Sequence, residues 1–205
     1  GIAKMKRLLK IFRNELHKSD LWSAFIKTLS HFKDGRNQGI EIFRSPKLLI
    51  SADIRKDIKD KYNFDGELLD IFLNNKKNIV HKWHHYIPLY DKYFSSYRNR
   101  PIRFLEIGVS KGGSLQMWRQ YFGDQAIIFG IDINPECYKY NGHSAQVRIG
   151  SQVDENFLMS VVSEMGGIDI VLDDGSHRME HIEASLKILF PKLNNSGIYL
   201  IEDLH

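Results

Sequence analysis

A chain of 205 residues, 42% hydrophobic and 26% charged, has the make-up of an ordinary globular protein with one good core and room for a small accessory unit. No apolar run approaches the roughly 18 residues a membrane-crossing helix needs, and Lys4, Lys6, Arg7, Lys10 and Arg13 interrupt the apolar residues at the start, unlike a signal peptide. The single cysteine, Cys137, excludes an intramolecular disulfide and fits a reducing compartment, so a cytoplasmic location is expected. The net charge of +4 is uneven: residues 1–78 hold 17 Lys and Arg against 10 Asp and Glu, and the remainder 12 against 15. That asymmetry divides the chain into a basic, mainly helical accessory segment over 1–78 and a second domain over 79–205. A basic front is most simply a solvated helical surface, with an anionic partner as the alternative.

In chain order, Met5, Leu8, Leu9, Phe12 and Leu16 recur at helical spacing among basic residues and predict an amphipathic helix. Such a helix packs on the rest of the protein or makes a weak membrane-surface contact. Asp20 caps a second predicted helix through Leu29. Short extended pieces follow at Ile40–Phe43 and Leu48–Ile50, and a polar-rich helical region covers 53–75. From Ile79 the texture changes. Trp83, Tyr86, Ile87, Leu89, Tyr90, Tyr93 and Phe94 form an aromatic helix ending near Ser95 and Ser96. Then strands are predicted at Arg103–Gly108, Ala126–Ile133, Gln146–Gly150, Asp169–Leu172 and Gly197–Ile201, with helices at Ser114–Phe122, Glu155–Met165 and His177–Phe190. Short apolar strands alternating with helices make an α/β fold, a parallel sheet covered on both faces. Ligands of such sheets bind at the carboxyl ends of the strands, so the residues just after each strand carry the chemistry.

The first strand ends in Glu106-Ile107-Gly108-Val109-Ser110-Lys111-Gly112-Gly113-Ser114. Glycines at a strand-to-helix turn let the backbone approach a ligand closely. The spacing differs from the dinucleotide fingerprint G-x-G-x-x-G. The second strand ends in Gly130-Ile131-Asp132-Ile133, where a carboxylate can hydrogen-bond both hydroxyls of a ribose. Together these motifs resemble the S-adenosylmethionine site of Rossmann-like methyltransferases, which need no pyrophosphate cradle. The resemblance implies cofactor contacts at Glu106, Gly108, Ser110, Gly112, Gly113 and Ser114. It adds Asp132 and Ile133 from the second strand, and Ser151 and Gln152 after the third strand as polar groups at the adenine edge.

The fourth strand runs into Asp173-Asp174-Gly175-Ser176-His177 and the fifth into Glu202-Asp203-Leu204-His205. Four carboxylates brought to one sheet edge repel, and burying unpaired charge is costly. A hard cation resolves the conflict, and carboxylates with water suit Mg²⁺ or Mn²⁺. Helix capping explains one or two of these acids, hardly all four.

The string L-E-I-G-V-x-x-G-G-S-L-x-x-W, then G-I-D-I, D-D-G-S-H and I-E-D-L-H, resembles the macrolide-sugar O-methyltransferase family over roughly residues 79–205. Cephalosporin-hydroxylase-like and rhamnosyl O-methyltransferase proteins share parts of it. The resemblance implies that Asp174, Glu202 and Asp203 bind the metal and that His177 is the general base. Asp173 is counted with the cofactor contacts, and Tyr86, in His81-Lys82-Trp83-His84-His85-Tyr86, as a residue that helps close over the cofactor. The implied reaction moves a methyl group from S-adenosylmethionine to a hydroxyl of a sugar-containing or other small-molecule acceptor. A divalent cation makes that hydroxyl more acidic, and histidine can take its proton near neutral pH.

Three other readings compete. His177-Arg178-Met179-Glu180-His181 also spells the inverted zinc-protease motif H-x-x-E-H, which needs both histidines on one helix face. Members of the family continue with two more strands, so the sheet is expected to be truncated after the fifth strand and the sequence to be part of a longer polypeptide; a degenerate cofactor-binding domain is the alternative. A catechol-type acceptor fits a similar carboxylate site. There is no recognised nucleic-acid motif, and a homo-oligomer is left open.

Overall fold

The computed structural model describes residues 53–204. The helices expected within 4–29 and the extended pieces expected within 40–50 lie outside the described residues. The described residues from Ile54 on form one compact unit, and residues 54–78, expected in the accessory segment, share its core. Ile58, Leu68 and Leu69, all before residue 78, are fully buried in the same apolar cluster as Phe104 and Trp118.

The polar-rich region resolves into two short helices, α1 (Ile54–Tyr62) and α2 (Glu67–Leu73). The aromatic segment becomes α3 (Tyr86–Phe94), with Trp83 ahead of it. Five strands follow, β1 (Arg103–Ile107), β2 (Ile127–Asp132), β3 (Gln146–Ile149), β4 (Ile168–Asp173) and β5 (Leu193–Ile201). Between them run α4 (Gly113–Phe122), α5 (Glu155–Met165) and α6 (Met179–Leu189). The sheet is parallel throughout, in the order β3-β2-β1-β4-β5. This is the Rossmann-like arrangement, with the order reversing beside β1, where a crevice opens at the carboxyl edge.

Each face of the sheet buries alternate residues, because successive side chains on a strand point to opposite sides. Phe104, Ile128, Val147, Ile170 and Leu172 pack under α1 to α4, against the rings of Tyr90, Phe94, Trp118 and Phe122. The Trp118 ring lies 5.3 Å from Phe104 and meets Tyr90 edge-on at 5.0 Å. Leu105, Ile107, Phe129, Ile131 and Val171 pack on the other face, under Leu158, Val161 and Met165 of α5 and Leu189 of α6. The same alternation sends Glu106 and Glu202 to the aromatic face and Asp173 to the opposite one. Every large aromatic of the first cluster removes on the order of 150–250 Å² from water, so this face anchors the strand ends.

Local chemistry sets the element ends. The Asp154 carboxylate accepts the Phe157 N–H at 3.0 Å and caps α5. Gly112, at φ +73°, takes the left-handed backbone that opens α4. The last helix begins at Met179 rather than at the expected His177, which has a left-handed backbone of its own, and β5 begins four residues before the expected Gly197. Among the described residues no helix is long and apolar enough to cross a membrane.

Candidate active site and metal centre

A cleft of about 290 Å³ lies at the carboxyl edge of the sheet, over the turn after β1. One wall is the glycine turn, Gly108 to Ser114. A second is the segment Ile79–Trp83, which runs in front of α3 as a strap. The floor is made by Asp174, Gly175, His177, Glu202 and Asp203.

Backbone approach explains the glycines. A side-chain carbon on Gly108, at φ +97°, would come 2.1 Å from the Asp174 carbonyl oxygen. The turn after β1 therefore packs directly on the loop after β4. A carbon on Gly113 would meet the Ile79 carbonyl oxygen at 2.2 Å, so the strap lies against the start of α4. Three cleft residues other than glycine, Ser110, His177 and Asp203, have φ near +50°. Such backbone is uncommon outside glycine and clusters where function fixes it.

Among the acids, Glu106 is fully buried; Ser114 Oγ donates to it at 2.7 Å and Trp118 Nε1 at 3.3 Å. Burial pushes its carboxyl up to about 6, against the pull of Lys82. Asp132 Oδ2 accepts the N–H groups of Val109 at 2.9 Å and Ser110 at 3.0 Å, and Oδ1 accepts that of Asn134 at 2.9 Å. Burial opposes its charge, but these backbone donors prevail and its carboxyl falls below the usual range. Asp132 thus ties the glycine turn to β2. Ile133 beside it is 70% exposed, and Ser151 Oγ accepts the Val153 N–H at 3.3 Å.

Asp173 and Asp174 part company. Asp173 is buried on the α5/α6 face, where Ser185 Oγ donates at 2.8 Å, Tyr199 Oη at 3.0 Å and Gln152 Nε2 at 3.3 Å. Gln152 Oε1 accepts the Ser176 N–H at 3.0 Å and so holds the loop after β4. Asp173 and Gln152, expected among cofactor contacts, are both over 90% buried and bonded to protein groups.

Asp174, Glu202 and Asp203 converge on the other face, with donors the sequence had not singled out. Lys82 Nζ donates to Asp174 Oδ2 at 2.5 Å and to Glu202 Oε1 at 2.7 Å, and lies 3.6 Å from Glu106 Oε1. Burial works against its charge, but Glu202, Glu106 and Asp174 outweigh it and hold the ammonium protonated well above its ordinary range. Burial likewise raises the Glu202 carboxyl, which also accepts from the Tyr90 hydroxyl. Trp83 Nε1 donates to Asp203 Oδ1 at 2.7 Å, and Tyr86 Oη donates to the same oxygen at 3.0 Å while accepting the Asp203 N–H at 2.9 Å. Tyr86 therefore stands at the acidic end of the cleft. The one signal in the sequence for these donors was a lysine and a tryptophan inside the aromatic segment before β1.

The outward oxygens face a histidine. His177 Nε2 is 3.7 Å from Asp174 Oδ1 and 4.0 Å from Asp203 Oδ2. One ligand atom from each of Asp174, His177 and Asp203 lies within 4.8 Å of the others, two carboxylates beside an imidazole. Four acids against one ammonium leave the cluster negative, and hard oxygen ligands suit Mg²⁺ or Mn²⁺. The residues present fit such an ion, with Glu202 next to them but engaged by Lys82 and Tyr90. His181 is elsewhere: its Nδ1 is 2.8 Å from Ser176 Oγ, and because α6 starts at Met179 the two histidines share no helix face. The inverted zinc-protease reading falls with that helix start.

A parallel sheet of this order, a glycine turn and an acid at the end of β2 are common to Rossmann-like methyltransferases and dinucleotide-binding domains, and residues 105–204 match the family model described as a methyltransferase domain. The match spans 100 of the 205 residues and is to the methyltransferase class. Within it, the chain resembles sugar O-methyltransferases. It is 39% identical over 146 residues to demethylmacrocin O-methyltransferase of Streptomyces fradiae, covering 68% of this chain and 36% of that protein. It is 43% identical over 129 residues to 8-demethyl-8-(2-methoxy-α-L-rhamnosyl)-tetracenomycin-C 3′-O-methyltransferase of Streptomyces olivaceus, covering 60% and 33%. The MycE methyltransferase of the mycinamycin biosynthetic pathway, solved in complex with Mg and SAH, superposes with a TM-score of 0.56 at 37% identity, over 67% of this chain and 38% of that one. The chain spans about a third of the length of these relatives.

Proposed function

We propose that this domain transfers a methyl group from S-adenosylmethionine to a hydroxyl of a sugar-containing small molecule, with Mg²⁺ or Mn²⁺ bound. The observation that carries the reading is the meeting of Asp174, His177 and Asp203 at the floor of a cleft walled by the glycine turn. Two similarities support it: another MycE structure holds Mg, SAH and mycinamycin VI, and the Streptomyces olivaceus relative is named for O-methylation of a rhamnosyl-bearing tetracenomycin.

In this reading the turn Gly108–Ser114 and the residues after β2 and β3 bind the cofactor, with Ile133 presenting an exposed apolar side chain to its base. Asp174 and Asp203 hold the ion, Glu202 completes the acid set, and His177 Nε2 accepts the proton of the acceptor hydroxyl. The cofactor supplies an electrophilic sulfonium methyl, and the ion makes the hydroxyl more acidic. The hydroxyl oxygen forms the new bond to carbon as the sulfur–carbon bond breaks. What the chain's own residues contribute is positioning and a base within reach.

The test is calorimetric titration of S-adenosylmethionine into the purified chain, with and without Mg²⁺. Micromolar-range binding supports the cofactor half and justifies an acceptor screen. A folded chain that does not bind favours a degenerate or incomplete domain and moves the search for function to residues 1–78.

A further inference from the structure

A lysine ammonium is expensive to remove from water, and one is buried here only because acids surround it. The Lys82 side chain is 2% exposed. Its partners come from three strand ends, Glu106 in β1, Asp174 after β4 and Glu202 after β5. The lysine itself belongs to the strap. It bonds one oxygen of Asp174, Oδ2, and leaves Oδ1 toward His177. Trp83, from the strap, and Tyr86, the first residue of α3, do the same to Asp203, taking Oδ1 and leaving Oδ2 toward His177. Each of these two acids is thus divided between an inner oxygen held by the strap and an outer oxygen facing the imidazole.

We propose that Lys82 is a positioning residue, the standing counter-cation of the candidate metal centre. It keeps the acids together when no ion is bound and turns Asp174 so that one oxygen stays available. This rests on the metal-dependent reading of the site. Lys82 and a divalent ion then neutralise the same acids from opposite sides. Taking the lysine away makes the fold lean on the ion, because Glu106 and Glu202 then stay buried with neutral donors only and Asp174 loses its ammonium.

The experiment follows thermal unfolding of the full chain in EDTA and in saturating Mn²⁺, for the wild type, Lys82→Met and Lys82→Arg. In EDTA, Lys82→Met should lose about 10 °C of Tm, and Lys82→Arg, which keeps the charge, should lose less. Mn²⁺ should raise the Tm of Lys82→Met by more than it raises that of the wild type. If Lys82→Met does not fold in EDTA, the yield of folded protein is compared instead: recovery in Mn²⁺ supports the proposal, and absence of recovery overturns it. A loss in Lys82→Met that Mn²⁺ repairs no better than in the wild type means lost packing, and also overturns it. No Mn²⁺ response in the wild type sinks the metal reading and the proposal together. A wild-type response with an unchanged Lys82→Met sinks the proposal alone.

Discussion

The two faces of the sheet edge hold acids of opposite kinds. On the α5/α6 side, Asp173 is surrounded by neutral donors, Ser185, Tyr199 and Gln152, and both its oxygens are spent inside the protein. On the α3/α4 side, one residue further along, Asp174 meets an ammonium with one oxygen and a histidine with the other. Sequence proximity says nothing about this difference. Strand alternation does, because neighbours at a strand end face opposite ways. An acid closed off by neutral donors serves the fold, whereas an acid left half open toward an imidazole is available for chemistry.

Three substitutions sharpen that contrast. The largest effect is expected for His177→Ala, which removes the proposed base on the open side. The proposed methyl transfer should drop by about 10²–10⁴-fold, while calorimetric cofactor binding stays near that of the wild type. Loss of cofactor binding in that variant would move His177 out of the base role. Next comes Asp173→Ala on the closed side. It leaves the Tyr199 hydroxyl without its acceptor and takes one acceptor each from Ser185 and Gln152, and urea unfolding should show a loss of roughly 1–3 kcal/mol. An equal loss from Asp174→Ala in ion-free buffer would erase the distinction between the two acids.

The smallest effect concerns Glu106, whose carboxyl rises from 4.5 to about 6. Between those values the folded chain keeps a proton that the unfolded chain has released. Stability therefore falls as pH rises through this window, with Glu106 contributing roughly 2 kcal/mol in ion-free buffer. Glu106→Gln should flatten that part of the profile in urea unfolding followed against pH. An unchanged slope would place the pH dependence on other acids of the cluster.

Much of the fold was legible because burial leaves a pattern. All five strands were readable as apolar runs, and α5 matches its expected range, fixed by Asp154 at one end and Gly166 at the other. The misses have physical reasons. The first residues of β5, Asn194, Asn195 and Ser196, are polar and exposed, so no apolar signal announced the strand. The start of α6 depends on a loop held by Gln152 and on the left-handed backbone of His177, and neither has a sequence period. The acids of the candidate site could be read from Asp-Asp-Gly-Ser-His and Glu-Asp because each pair follows a strand. Their donors could not, since Lys82 and Trp83 reach them across about 90 to 120 positions of chain.

The bare backbone at Gly108 has a consequence for reaction distance. The turn that would seat the methyl donor and the loop that would seat its acceptor touch there without any side chain between them. Their separation is thus set by two peptide planes in contact, a spacer that neither swings nor swells. Any residue larger than glycine at that position would act as a shim, pushing donor and acceptor apart by a fraction of a bond length in a reaction whose rate depends on keeping them close.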